Sequence, residues 1–178
     1  MDSSHIVEAL SMPLFKNHFS GFLFSDSLHL VRKKHQFLDF YIINTNHVFG
    51  EHWFACIRGI DEWIIFDCSA FTPKKDHDTL NKTLRKEGRV VFDCQQLQKS
   101  NSLSCGMHVI SYIYFAFKIL KKRVPYISNY YCNKIMRFCK LNHICPDDFV
   151  FSLLYDSGIF HVAEEGKKEI DHWLKNFQ

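Results

Sequence analysis

The chain has 178 residues, a length that fits one domain with a single sizeable core. With 47% hydrophobic and 23% charged residues, its composition is that of a globular protein and excludes a disordered one. The formal net charge of +3 is too weakly basic to indicate nucleic-acid binding by itself.

The N-terminal half predicts a short helix followed by β-strands. Ser3 and Ser4 are positioned to cap a helix over residues 5–11, and an aromatic, turn-like segment around Gly21 follows over residues 19–24. Apolar runs rich in β-formers predict strands over residues 38–44, 52–58 and 62–67, with a loop over 44–50 and a turn over 58–61.

The C-terminal half is mostly helical. A short basic helix over residues 79–87 ends at Gly88, a strand covers residues 89–94, and a buried helix extends over residues 105–122. Further helices are predicted over residues 129–139 and 170–177, with a mixed region over 146–160. This order predicts an α+β fold in one domain spanning residues 1–178, with a small mostly antiparallel sheet packed against a long central helix.

A polar run from Gln98 to Gly106 places Cys105 at the start of the apolar helix. The free N–H groups and the dipole at a helix N-terminus favour negative charge, and they can lower the pKa of a thiol from about 8.5 to roughly 3.5–7.5. We therefore predict that Cys105 is a thiolate nucleophile. A cysteine that begins an apolar helix is also compatible with a simple core residue.

Two residues on neighbouring predicted strands supply what a cysteine nucleophile needs besides its thiol. His52 begins one strand and Asp67 ends the next, and in an antiparallel hairpin these two ends lie side by side. We assign His52 as the general base and later the general acid, and Asp67 as the group that orients it. Taken singly, either residue also fits a surface or turn position.

Three more residues are predicted to contact the substrate. Gln98 is positioned to donate a hydrogen bond to a developing oxyanion, beside the backbone N–H of Cys105. Gly106 lets the substrate backbone approach closely, and Trp53 forms a wall of the substrate groove. Together these residues predict a cysteine hydrolase, and specifically a protease.

The order of these motifs resembles that of the adenovirus protease (adenain) family. The resemblance is carried by His52-Trp53, by the strand that ends in Asp67, and by the loop from Gln98 to Cys105-Gly106, which has Asn-Ser at that family's offsets. Residues 21–22, 43–45 and 50–53 are also similar, so the resemblance covers roughly residues 1–120. The SUMO proteases of the same clan share the order His, acid, Gln, Cys.

The resemblance implies a circularly permuted papain-like thiol protease that cuts viral or virus-like capsid and core precursors at Gly-x-Gly or Gly-Gly sites. It implies no metal and no cofactor required for the chemistry, but an activating viral peptide and DNA as partners. The chain has Asp67 where adenain has glutamate, and a shorter segment between the acid and the nucleophile. Cys94 lies closer to Cys105 than does the adenain cysteine that pairs with the activating peptide.

Three other interpretations fit parts of the sequence. A deconjugating protease for SUMO or ubiquitin-like modifiers would use the same chemistry. A zinc-binding C-terminal region would use Cys132, Cys139, His143 and Cys145, although their spacing lacks the tight Cys-x2-Cys pairs of zinc ribbons. A non-catalytic binding module is the third, and the joint presence of the four site residues argues against it.

The number of cysteines and the hydropathy of the sequence indicate the cellular compartment of the protein. The seven cysteines are odd in number and show no disulfide framework, which favours a reducing compartment. We expect no signal peptide, no transmembrane segment and a monomer. A viral enzyme of this kind would act in the host nucleus and the virion, and any other in the cytosol or nucleus. The short basic clusters are interpreted as solvated faces.

Overall fold

The structure, a computed structural model, describes residues 3–24, 27–28, 35–47, 50–70, 74–100, 102, 104–120 and 127–156. The predicted helix over residues 170–177 lies outside these ranges. The helices and strands follow in the order α1 (Ser3–Leu10), α2 (Pro13–Lys16), β1 (Phe19–Phe24), β2 (Phe40–His47), β3 (Gly50–Arg58), β4 (Glu62–Asp67), α3 (Lys74–Leu84), β5 (Arg89–Cys94), α4 (Cys105–Leu120), α5 (Ile127–Asn142) and α6 (Pro146–Asp156).

The strands of the described ranges form one five-stranded sheet in the order β1-β2-β3-β4-β5. The pairs β2–β3 and β3–β4 are antiparallel, whereas β1 and β5 run parallel to their neighbours. The predicted α+β class is therefore confirmed, but the expectation of a mostly antiparallel sheet is wrong, because the sheet is mixed. Parallel neighbours need a crossover instead of a hairpin, and α3 lies in the crossover between β4 and β5.

Three segments differ in type from the sequence expectation, and the helix predicted over residues 79–87 lies earlier in the chain, as α3 at Lys74–Leu84. Residues 19–24, predicted as turn-like, form the edge strand β1, and the disturbance around Gly21 is a register shift where this glycine has φ +137°. The loop predicted over 44–50 is mostly strand, because β2 continues to His47 and β3 begins at Gly50. The described part of the region predicted as mixed over 146–160 is the helix α6, Pro146–Asp156, and the remainder lies outside the described residues.

Apolar layers cover both faces of the sheet. Alternate strand residues such as Ile42, Ala55 and Phe66 pack with α4, while their neighbours pack with α3 through Leu80 and Leu84. Because α4 lies between the sheet and the helices α5 and α6, it is apolar around most of its circumference. None of the described helices combines the length and the apolar character needed to cross a membrane.

The ring pair of Phe66 and Tyr112 joins the sheet to α4 directly behind the strand end that carries Asp67. The two rings are stacked with centroids 4.0 Å apart, and both side chains are fully buried. We expect Phe66→Leu to lower the free energy of unfolding by about 1–2 kcal/mol, since it loses the ring contact and leaves a small cavity. Phe24→Leu is the matched control because Phe24 is 47% exposed. Equal urea midpoints for the two variants would contradict this role.

Candidate active site

His52, Asp67 and Cys105 come together from three different elements. His52 is the third residue of β3, Asp67 is the last residue of β4, and Cys105 is the first residue of α4. Since Ala55 pairs with Phe66, position 67 faces position 54, and His52 lies two residues further along the same sheet face. Such diagonal neighbours are within reach of long side chains. The two strand ends thus lie side by side as predicted, although β3 starts before His52.

A buried carboxylate holds the imidazole. Asp67 Oδ1 lies 2.7 Å from His52 Nε2, and the aspartate has no exposed surface. The same oxygen accepts hydrogen bonds from the backbone N–H and the hydroxyl of Ser69, each at 2.9 Å. The Ser69 hydroxyl also lies 3.1 Å from His52 Nε2. These contacts assign the ring proton to Nε2 and leave Nδ1 for the thiol.

The Cys105 thiol and the His52 ring are hydrogen-bonded and stabilise each other's charged forms. Burial raises the pKa of the Cys105 thiol, but hydrogen bonds from His52 and from the backbone N–H groups of Trp53 and Gly106 outweigh it and hold this pKa below its ordinary value. Burial lowers the pKa of His52, but Asp67 and Cys105 raise it to about 9 overall. The two groups therefore shift each other toward the thiolate and the imidazolium.

Other thiols of the chain have the opposite electrostatics. Burial raises the pKa of Cys94 to about 12 and that of Cys139 to about 11. It raises the pKa of Cys56, Cys68 and Cys132 as well, with nearby carboxylates adding to the effect. All seven cysteines are free of disulfides. Cys105 is thus distinguished by its hydrogen-bond donors, and burial alone would have made it inert.

Gln98 lies buried in the segment between β5 and α4. The backbone N–H groups of Leu97 and Gln98 donate to the Cys68 carbonyl at 2.7 and 3.1 Å, which ties this segment to the residue after Asp67. The Gln98 amide is held on both sides, because its Oε1 accepts from the Cys68 thiol at 3.3 Å and its Nε2 donates to the Ser102 carbonyl. The second proton on Nε2 is the one that an oxyanion would use.

Trp53 and Gly106 contribute backbone groups to the site. Their N–H groups donate to the Cys105 sulfur. The Trp53 indole is only 4% exposed and packs against Phe22 with ring centroids 6.0 Å apart, so most of its surface faces the core. Its role as a groove wall stays a prediction.

Three side chains around these residues are not predicted from the sequence. Ser69 and Cys68 directly follow Asp67, and they hold the carboxylate and the Gln98 amide respectively. Asp147, at the start of α6, accepts a hydrogen bond from Ser104 at 2.8 Å. The Pro-Asp-Asp pattern at 146–148 is typical of a helix start, but it does not indicate what Asp147 contacts.

The described residues offer no metal site. No group of three or more His, Cys, Asp or Glu residues in the described ranges is arranged to hold a metal ion. A surface cavity of about 430 Å³ is lined by Asn81, Lys82, Arg85 and Lys86, and it includes none of the predicted site residues.

Comparison with known proteins does not identify a family. No protein-family model and no curated protein matches the chain. A solved structure described as the crystal structure of the de-sumoylating protease is similar over 88% of this chain and 81% of that chain, with 16% identity and a TM-score of 0.38. That similarity is too low to support a functional argument, so the resemblance to adenain rests on the motif residues.

Selective alkylation tests the electrostatics of the site. At pH 7 a limiting amount of iodoacetamide should modify Cys105 before the five thiols whose pKa is raised, because the thiolate is the reactive form. His52→Ala should slow this reaction, because it removes the hydrogen bond from His52 that lowers the pKa of the Cys105 thiol. His143→Ala, at an exposed position, should not slow it. Peptide mass spectrometry locates the label, and earlier modification of Cys56 or Cys68 would contradict the assignment.

Proposed function

We propose that the chain is a cysteine endopeptidase in which Cys105 is the nucleophile, His52 the general base and acid, and Asp67 the residue that orients His52. The observation that supports this most strongly is the imidazole held between a fully buried carboxylate and a thiol of lowered pKa. Cysteines whose role is only structural sit in apolar surroundings that raise their pKa, as Cys56 does.

The proposed chemistry uses each group in turn. The Cys105 thiolate attacks the scissile carbonyl carbon, and the oxyanion that forms accepts hydrogen bonds from the Cys105 N–H and the Gln98 amide. His52 then donates its Nδ1 proton to the leaving amine, which departs and leaves a thioester on Cys105. Water attacks the thioester while His52 accepts a proton, and the second product leaves with a new carboxylate.

For the substrate we propose viral or virus-like capsid and core precursors with Gly-x-Gly or Gly-Gly sites. This part of the proposal rests on the motif offsets of the loop between Gln98 and Cys105. Precursors of SUMO or ubiquitin-like modifiers are the second candidate, since the same chemistry would serve them and the SUMO proteases share the order His, acid, Gln, Cys. The two classes are distinguished by which substrate is cut.

An activating peptide and DNA are proposed as partners on the strength of the same resemblance. The cavity lined by Lys82, Arg85 and Lys86 offers positive charge to a polyanion. Burial raises the pKa of Cys94 to about 12, which keeps its thiol protonated and slow in disulfide exchange at neutral pH. We therefore expect an activating peptide to bind without a disulfide to Cys94.

A substrate panel tests the proposal. The wild type, offered Gly-x-Gly peptides and modifier precursors with and without DNA, should cut one class, and Cys105→Ala should abolish cutting while the unfolding midpoint stays near that of the wild type. Asp67→Asn should retain more activity than Cys105→Ala, because Asp67 orients the base and transfers no proton. Cleavage by Cys105→Ala that is still blocked by thiol reagents would remove Cys105 as the nucleophile.

The pH dependence of kcat/KM should reflect the ionisation of Cys105 and His52. We expect kcat/KM to rise as Cys105 loses its proton, below the ordinary thiol range, and to fall as His52 loses its proton near pH 9. Asp67→Asn removes a hydrogen bond and a negative charge that raise the pKa of His52, so the alkaline limb should move to lower pH. Asp61→Asn, at an exposed carboxylate, should leave the limb in place. An alkaline limb that does not move in Asp67→Asn would contradict this role.

A further inference from the structure

A second buried carboxylate lies beneath the residues that lead to Cys105. Asp147, in the first turn of α6, is 8% exposed. Its Oδ1 accepts hydrogen bonds from the Ser104 hydroxyl at 2.8 Å and from His108 Nε2 at 2.7 Å. Its Oδ2 lies 3.4 Å from the backbone N of Lys99. These three donors flank Cys105 on both sides along the chain.

The contacts of Asp147 continue to the Gln98 amide. Ser102 donates its hydroxyl proton to Ser104 Oγ at 2.8 Å and accepts the Ser104 N–H at 3.2 Å. The carbonyl of Ser102 in turn accepts the Gln98 Nε2 donor. A continuous chain of hydrogen bonds therefore joins Asp147, through two serines, to the side chain proposed to bind the oxyanion.

A helix-dipole role alone does not account for Asp147. An acidic residue in the first turn of a helix is favourable anywhere on the surface, and the neighbouring Asp148 has that position while exposed to solvent. Asp147 is buried instead, which raises its pKa, but hydrogen bonds from His108 and Ser104 and the attraction of His108 lower it to about 2 overall. The carboxylate is thus charged at every pH where a protease of this kind would work.

We propose that Asp147 is a positioning residue, which fixes Ser104, Lys99 and, through Ser102, Gln98 so that the nucleophile and the oxyanion donor keep their separation. The inference rests on the proposed protease function. Asp147 does not touch the substrate, and the thiolate is formed without it by the pair His52 and Asp67. Loss of Asp147 should therefore impair the chemical step and spare the ionisation of Cys105.

Two isosteric substitutions on the same helix turn test this. Asp147→Asn should lower kcat about 10- to 100-fold with KM close to the wild type, since small displacements of reacting groups have effects of that size. The pH midpoint of Cys105 alkylation should not move. Asp148→Asn, the matched control, should change none of these quantities. A wild-type kcat in Asp147→Asn, or an alkylation midpoint that shifts with kcat, would overturn the proposal.

Ser104→Ala tests the same network without depending on whether Asp147→Asn folds correctly. Ser104→Ala removes one link of the chain and should lower kcat less than Asp147→Asn. The double variant should be no slower than Asp147→Asn alone, because both changes break the same connection. Independent, multiplying effects on kcat would contradict a single positioning network.

A readout that needs no activity separates this proposal from the proposed function. If the wild type cuts nothing in the panel, the protease assignment fails, and hydrogen exchange still tests Asp147. Peptides that include Ser104 and His108 should exchange faster in Asp147→Asn than in Asp148→Asn. Equal exchange in the two variants would overturn the positioning role.

Discussion

The hydrogen bond between Asp67 and His52 is the contact on which the rest of the site is built. A carboxylate without exposed surface is stable only where donors satisfy it, and Asp67 receives the imidazole together with both donors of Ser69. Because Asp67 is the last residue of β4 and His52 lies on the part of β3 beyond the β4 pairing, this bond holds the two strands together where their ladder stops. The backbone of Gln95 then donates to the Asp67 carbonyl at 3.1 Å, which leads the chain back toward α4.

The start of α4 is flanked by two pairs of the same composition, and their surroundings give them different chemistry. Asp67 and His52 are joined at 2.7 Å, as are Asp147 and His108. In the first pair the ring is also hydrogen-bonded to the Cys105 thiol, so it can exchange a proton with that thiol. In the second pair His108 is fully buried, and its Nδ1 has no hydrogen-bond partner among the described residues. A ring closed off in this way can hold a carboxylate but has no route to a substrate.

Local sequence patterns predict the parts of the site that adjoin one another in the sheet, and they fail for contacts made across the fold. The alternation in the two central strands places His52 and Asp67 on one face, because register and pleat follow from neighbouring residues. Local patterns do not predict the parallel edge strand β1, since Gly21 interrupts its pattern and its pairing partner β2 lies a crossover away. Asp147 reaches Ser104 across 43 positions, a contact set by the packing of α6 on α4 and visible in no local pattern.

The lowered pKa of the Cys105 thiol depends on the core as much as on its ionisable neighbours. Burial opposes a thiolate here, so the lowered pKa of Cys105 requires donors that are already in place before the proton leaves. One of these donors is the backbone N–H of Trp53, and the indole of that residue is locked into the core against Phe22. The pairing of β3 with β4 begins only at Ala55, so that ladder does not occupy the Trp53 amide. The buried Trp53 side chain thus affects the pKa of the Cys105 thiol through the packing that immobilises its own backbone.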